Sequence, residues 1–327
     1  MISIISQPTE LVLDSDNSII ELSSDKKDKI DVKTNNSLLN QITVAKYNAT
    51  NAIINLKSLH RNTDITITEL SREAKKINNI LTITGNITQG ETEVILKPIQ
   101  ILYSTKTIER LPTNNRTIHF LGISESLLCS RDCRITIPFL VTKSQAITIK
   151  VYDQKNNLIK LNLLGELSTG YYTYDINLAL EYPVEALTVE IIGEEIIHKV
   201  IRVLKNKVNQ LLNIRFKNQF GAYIYAQLFS NLDIEEELKP KTYRDQDGRQ
   251  FTSEVESNSI LTVDTGYLLQ SEMFLIKQLM NSTLVELEIN GEYIPVVSST
   301  KKTKVYQDRE FILSNKLTFT YTNYEAN

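Results

Sequence analysis

The chain has 327 residues, with 36 Lys and Arg against 39 Asp and Glu, 41% hydrophobic residues, two Cys, no Trp, 10 Gly and 7 Pro. So near-neutral a balance speaks against a dedicated nucleic-acid binder, and so little Gly and Pro against collagen-like or Gly-rich linker architectures. The apolar content suffices for one large core or for two to three ordinary ones.

MISIISQPTELVLDSD at the start has no positively charged n-region followed by an apolar stretch. No later run approaches the roughly 18 apolar residues of a membrane span. A soluble chain without a secretion signal is expected. Strand signals then recur every ten or so residues: QITVAKY (41–47), TDITITEL (63–70), NILTITG (79–85), TEVILKP (92–98), AITIKVYD (146–153), ALTVEIIG (186–193), HKVIRVL (198–204) and NKLTFTYTNY (315–324). They alternate with period two or are enriched in β-branched residues. Between the second and third, Ser71–Asn79 is short and charged and reads as a solvated turn of helix.

The convincing helix is 270–281, QSEMFLIKQLMN, where Leu269, Met273, Ile276 and Met280 share a face and Gln270 or Ser271 can cap the start. Fold class is therefore mainly β: two to three β-sandwich-like domains, with one α-helix packed between strands in the C-terminal one. Turn punctuation at Pro112 and around Asn218–Gly221 divides the chain into 1–108, 109–205 and 206–327.

Candidate chemistry is sparse. His60, His119 and His198 are far apart and have no ligand-spaced partner, which is poor material for zinc. Cys129 and Cys133 in CSRDC read as free thiols. Ser124 in Gly122-Ile-Ser-Glu-Ser lacks the second glycine of a nucleophile elbow. Gly85/Gly90 and Gly165/Gly170 have phosphate-loop spacing, but Glu91 and Tyr171 stand where the Lys is required, so both pairs read as hairpin turns. Asp245, Asp247, Gly248 and Glu254 match the third, fifth, sixth and twelfth positions of a calcium loop. Tyr243 occupies the first, however, and a DG turn between strands explains the same residues without metal. No cofactor is expected.

Charge is unevenly placed. Lys199, Arg202, Lys205, Lys207, Arg215 and Lys217 form a basic stretch, and Asp233, Glu235, Glu236 and Glu237 an acidic one. A solvated surface explains both; the sharper expectation is that they meet between copies in a head-to-tail ring. Of the 15 Tyr, Tyr171, Tyr172 and Tyr174 crowd one strand, as cross-strand packing or as a ligand face.

The segments 211–229 (LLNIRFKNQFGAYIYAQLF), 239–282, 285–300 (VELEINGEYIPVVSST) and 317–327 resemble, in that order, the C-terminal part of structural proteins from phages infecting Bacteroidetes. The opening ISQPTELVLDSDNSIIELSSDKKD is similar to their N-terminal strand pair, although the usual Asn-Pro is absent. The resemblance implies a non-enzymatic virion protein of the tail or neck, with the low-GC flavour of a crAss-like phage. It implies a homo-oligomeric ring, six- or twelve-fold, serving as adaptor between neighbouring portal, neck or tail proteins and made in the host cytoplasm. Neither a membrane nor sequence-specific nucleic acid is expected as partner. Candidate interface residues are Phe220, Tyr223, Tyr225 and Tyr267, together with the two charged stretches. The alternative is a receptor- or carbohydrate-binding tail fibre or collar spike whose Tyr-rich strands face the ligand.

Overall fold

The computed structural model describes all residues except 1, 10, 16–17, 26–28, 42–43, 47–49, 58, 60–64, 106–108, 110, 112–115, 181–183, 205–210, 230–231, 309–310 and 323–327. Strand takes 62% of the described residues and helix 5%, as the alternation of the sequence leads one to expect.

Two four-stranded sheets form the first unit. One has the order Ile2–Ser6, Ile19–Ser24, Asn51–Asn55, Ala45–Lys46, and the other Val12–Leu13, Thr92–Leu102, Ile80–Gln89, Asp31–Thr34. Alternate residues of both sheets, among them Ile20, Leu22, Ile54, Ile83, Ile87, Ile99 and Ile101, share one core cluster. The period-two pattern exists because one face of each sheet is dry.

The segment 66–78 leaves this unit. Thr66–Glu69 and Ala74–Asn78 form a hairpin whose second strand pairs antiparallel with Gly170–Ala179, joining the five-stranded sheet Ile118–Phe120, Asp132–Val141, Gly170–Ala179, Ala74–Asn78, Thr66–Glu69. This corrects two expectations, the turn of helix at Ser71–Asn79 and the placement of 66–78 within a self-contained unit 1–108. Position is decided by partners distant in sequence: Lys75 forms an ion pair with Asp175 at 3.0 Å, and Glu73 pairs with Lys160. Opposite lies a second five-stranded sheet, Leu127–Cys129, Ile196–Val203, Ala186–Ile192, Gln145–Asp153, Leu158–Leu167, and the two share a core.

Of the three crowded tyrosines, Tyr172 and Tyr174 point between these sheets and Tyr171 points to the other face, yet all three are buried. The strand is therefore covered on both faces, the second by the C-terminal unit, and it cannot present a tyrosine ligand face to solvent.

That C-terminal unit is a seven-stranded sheet: Tyr223–Leu228, Leu212–Lys217, Val285–Ile289, Glu292–Ser298, Lys316–Tyr321, Gln250–Asp264, Leu232–Arg244. Its inner face packs against Met273, Ile276 and Leu279 of the α-helix Met273–Met280, which a 3₁₀ turn at Gln270–Glu272 precedes. Here a helix stands where a second sheet would be.

Candidate interaction surfaces

The helix start is built from two units. Ser124 Oγ accepts the Leu275 N–H at 2.7 Å and donates to the Glu272 carbonyl at 3.2 Å, and the Glu272 carboxylate accepts the Leu269 N–H at 2.7 Å. Capping thus comes from Ser124 and Glu272, where Gln270 or Ser271 was expected; Ser271 Oγ instead lies 2.6 Å from Ser126 Oγ. The hydroxyl weighed as a nucleophile serves the helix N-terminus, whose free N–H groups need an acceptor. Ser124→Ala is expected to lower stability by about 1 kcal/mol, the usual worth of a cap, in urea unfolding; an unchanged midpoint would contradict this role.

Two residues of the basic stretch close the same joint. Arg202 makes a two-pronged contact with Glu272, 3.2 and 2.8 Å, and the Glu272 side chain is only 2% exposed. Lys199 Nζ donates to the Ser124 and Glu125 carbonyls at 2.9 and 3.3 Å and sits over the Phe120 ring. Both cations are consumed inside the monomer, which corrects their assignment to a contact between copies. Lys205 and Lys207 lie outside the described residues.

Phe220 is likewise corrected from interface to core. It is fully buried, edge-on to Tyr171 at 5.3 Å, and its carbonyl accepts Asn79 Nδ2 at 2.7 Å. Its turn is shaped by Asn218, whose Oδ1 accepts the Phe220 and Ala222 N–H groups at 3.0 Å while Nδ2 donates to Tyr171 Oη at 2.8 Å. The hydroxyl of Tyr171 donates to Leu121 O at 2.8 Å. Gly122 has φ +78°, and a Cβ there would meet Asn218 Nδ2 and Tyr171 Oη at 2.7 Å. Its N–H donates to Glu109 at 2.6 Å. Burial pushes the Glu109 carboxyl up to about 7, against the pull of that N–H and of Lys199.

On the outer face of the seven-stranded sheet, cross-strand register sets Arg215 between Tyr225 and Glu286. Arg215 grips Glu286 with two hydrogen bonds and lies 4.7 Å from the Tyr293 ring centre and 5.4 Å from that of Tyr223. Arg134, from the central unit, stacks over Tyr225 and Tyr293 at 5.0 and 5.4 Å and pairs with Glu288. Lys217 lies over Tyr223. Tyr223 and Tyr225 are therefore half-buried members of an Arg–Tyr ladder that ties two units together. Arg134, Glu286 and Tyr293 belong to it although nothing in their local sequence marked them; the register of strands far apart in sequence does.

The acidic stretch has a different setting. Leu232–Arg244 and Gln250–Asp264 pair along their whole length, but only Ile260–Asp264 pairs onward to Lys316–Tyr321. About ten residues of each strand thus project as a bare two-stranded arm, roughly 30 Å long at the rise of a strand. From Asp233 to Arg244 every side chain is exposed. Asp233, Glu235, Glu236 and Glu237 line its base, with only Glu237 in a described ion pair, to Lys239 at 3.2 Å. Leu238 is 59% and Val255 52% exposed, and Tyr243 stacks on Phe251 near the tip.

Asp245 and Asp247 form the turn of this arm. Asp245 Oδ1 accepts the N–H groups of Asp247 and Arg249 at 3.0 and 2.8 Å, and Gly248 has φ +79°. Glu254 lies in the returning strand opposite Lys241. The segment is the DG hairpin turn that the sequence favoured over a calcium loop, with the Asp245 carboxylate shaping its backbone. Among the described residues no group of three or more His, Cys, Asp or Glu could hold a metal.

A second exposed patch escaped the sequence reading. Between Glu292–Ser298 and Lys316–Tyr321 runs a chain segment with Lys301, Lys302 and Lys304 exposed beside Val305, Tyr306 (65%), Phe311 (80%) and Ile312. Tyr267 (79%) sits in the bend just before the strand Leu268–Leu269, next to the Leu268–Leu313 pair, and edges a cleft of about 400 Å³ lined also by Arg202, Asp264 and Ser314. The KKTK run was the available signal. Elsewhere, Cys129 and Cys133 are buried free thiols, His119 is a buried strand residue, His198 is exposed on a strand, and His60 lies outside the described residues.

No protein-family model matches the chain, and no curated protein compared with it is similar. Among solved structures, the fibronectin(III)-like modules of Clostridium thermocellum CbhA align with 62% of this chain and 94% of their own at 12% identity and a TM-score of 0.18. A chimeric titin Z1Z2 carrying a decorin peptide aligns with 63% of this chain and 97% of its own, also at 12% identity and 0.18. Similarity of that degree carries nothing about function to this chain.

Proposed function

We propose that the chain is a non-enzymatic virion structural protein, a ring-forming adaptor or connector of a phage tail or neck that acts through contacts with further copies of itself. The phage setting rests on the sequence resemblance in the last third of the chain. One structural observation supports the oligomeric part: the arm at 235–259. Two-stranded ribbons are marginal alone in water, and an exposed strand edge with apolar side chains is a template for pairing. Such a feature fits a chain whose arm is covered by a neighbour.

Native mass spectrometry across concentration and salt tests this. A salt-sensitive ring of six or twelve copies is the expected result. A monomer at every concentration would refute self-assembly, and a stable trimer would favour the fibre or spike.

A further inference from the structure

The C-terminal sheet carries two exposed patches of opposite charge. Along Gln250–Asp264, the arm extends beyond Ile260 toward Gln250, whereas the Lys301–Ile312 segment attaches at the Asp264 end. Asp264 pairs with Lys316, Ser299 N–H donates to Thr318 O, and Lys304 N–H donates to Asn315 Oδ1. The arm beyond Glu237 runs away from the lysines of its own chain, while Asp233, Glu235 and Glu237 at its base stand opposite Thr262, Ile260 and Asn258, two, four and six residues from the Asp264 end.

Both patches pair charge with exposed apolar surface. The arm base has Asp233, Glu235, Glu236 and Glu237 beside Ile234 and Leu238; the other patch has Lys301, Lys302 and Lys304 beside Val305, Tyr306 and Phe311. Among the described residues no ion pair engages Asp233, Glu235, Glu236 or the three lysines. Opposite charge on two exposed surfaces that no described ion pair joins is the pattern of a heterologous contact.

We infer that the acidic, apolar base of the arm of one copy docks on the basic, apolar surface formed by Lys301, Lys302, Lys304, Val305, Tyr306 and Phe311 of a second copy. This contact rests on the ring-forming reading above and supplies its interface. It takes the place of Lys199, Arg202 and Arg215 as the counterpart of the acidic stretch, since these three are committed within the monomer; Lys205 and Lys207 lie outside the described residues. Repeated head to tail, it leaves every copy with one arm given and one received, and closes into a ring if the rotation permits.

Charge reversal in two sets tests it. One variant carries Glu235→Lys, Glu236→Lys and Glu237→Lys; the other carries Lys301→Glu, Lys302→Glu and Lys304→Glu. All six positions are exposed, so both chains should keep the wild-type circular dichroism and melting temperature. Each alone should need at least about tenfold more protein to assemble, as like charges now face each other. An equimolar mixture should recover assembly, because the reversed arm of one fits the reversed segment of the other. Failure of the mixture to recover would overturn the contact. So would a wild-type oligomer indifferent to both reversals, which would leave the ring-forming function standing on another interface. A wild-type protein that stays monomeric would overturn both.

Discussion

Arg202→Met is expected to destabilise the joint between the central and C-terminal units by about 3 kcal/mol or more. The reason is Glu272, which cannot leave: its side chain is 2% exposed, and its carboxylate also holds the Leu269 N–H at the start of the helix. Removing one member of a buried pair leaves an uncompensated charge, which is far costlier than the pair's net contribution. Methionine preserves much of the apolar stem, isolating the charge from the packing. Adding Glu272→Gln should recover over half the loss, because the amide oxygen can still accept the Leu269 N–H without a buried charge. Urea unfolding of the single and double variants measures this coupling. A single-variant cost below about 1 kcal/mol, the range of an exposed ion pair, would show that solvent screens Glu272 more than its burial implies. Helix placement depends on the same pair, so this joint governs how the sheet that bears the arm is held.

A second large effect concerns pH. Burial raises the Glu109 carboxyl from 4.5 to about 7 in the folded chain. A carboxyl raised on folding keeps its proton in the native state while the unfolded chain has already lost it. Its contribution is therefore complete below about pH 4.5 and is lost as pH climbs through about 7. The full span corresponds to about 3 kcal/mol, at 1.36 kcal/mol per tenfold change in proton affinity. Glu109→Gln keeps an acceptor for the Gly122 N–H and abolishes the titration. Scanning calorimetry from pH 5 to 8 should show the wild-type melting temperature falling more steeply than that of Glu109→Gln, with the variant the more stable at pH 8. Parallel curves would contradict it. Lys199, whose charge acts against the rise of this carboxyl, has its own affinity for protons lowered by burial.

Much of the fold was legible because period-two alternation is a local consequence of a sheet with one dry face. The strands at 79–85, 92–98, 146–153, 186–193 and 198–204 all coincide with observed ones. The helix was legible for a similar reason: Met273, Ile276 and Met280 recur at helical spacing and face the core. Local pattern misled at Ser71–Asn79, where charged residues read as solvated helix. There, pairing with Gly170–Ala179 and the partners Asp175 and Lys160 outweigh propensity.

Interface candidates divide along the same line. The acidic stretch could be recognised, and the structure sets it on an exposed arm. Sequence proximity also made Lys199 and Arg202 look like its counterpart, but strand register turns them toward the helix start and Glu272. Phe220 and Tyr267 are both aromatics near turns, and one is fully buried while the other is 79% exposed.

By itself, then, the sequence determined where the chain can form strands, where it must turn, and where the α-helix Met273–Met280 lies. Each of these depends on the spacing of apolar residues and on the backbone demands of Gly, Asn and Asp. Only the tertiary structure decided which charges are spent and which are free. A cation's role depends on whether a buried carboxylate from another unit reaches it. Glu272 reaches Arg202 across 70 residues of chain, and no described carboxylate reaches Lys301, Lys302 or Lys304.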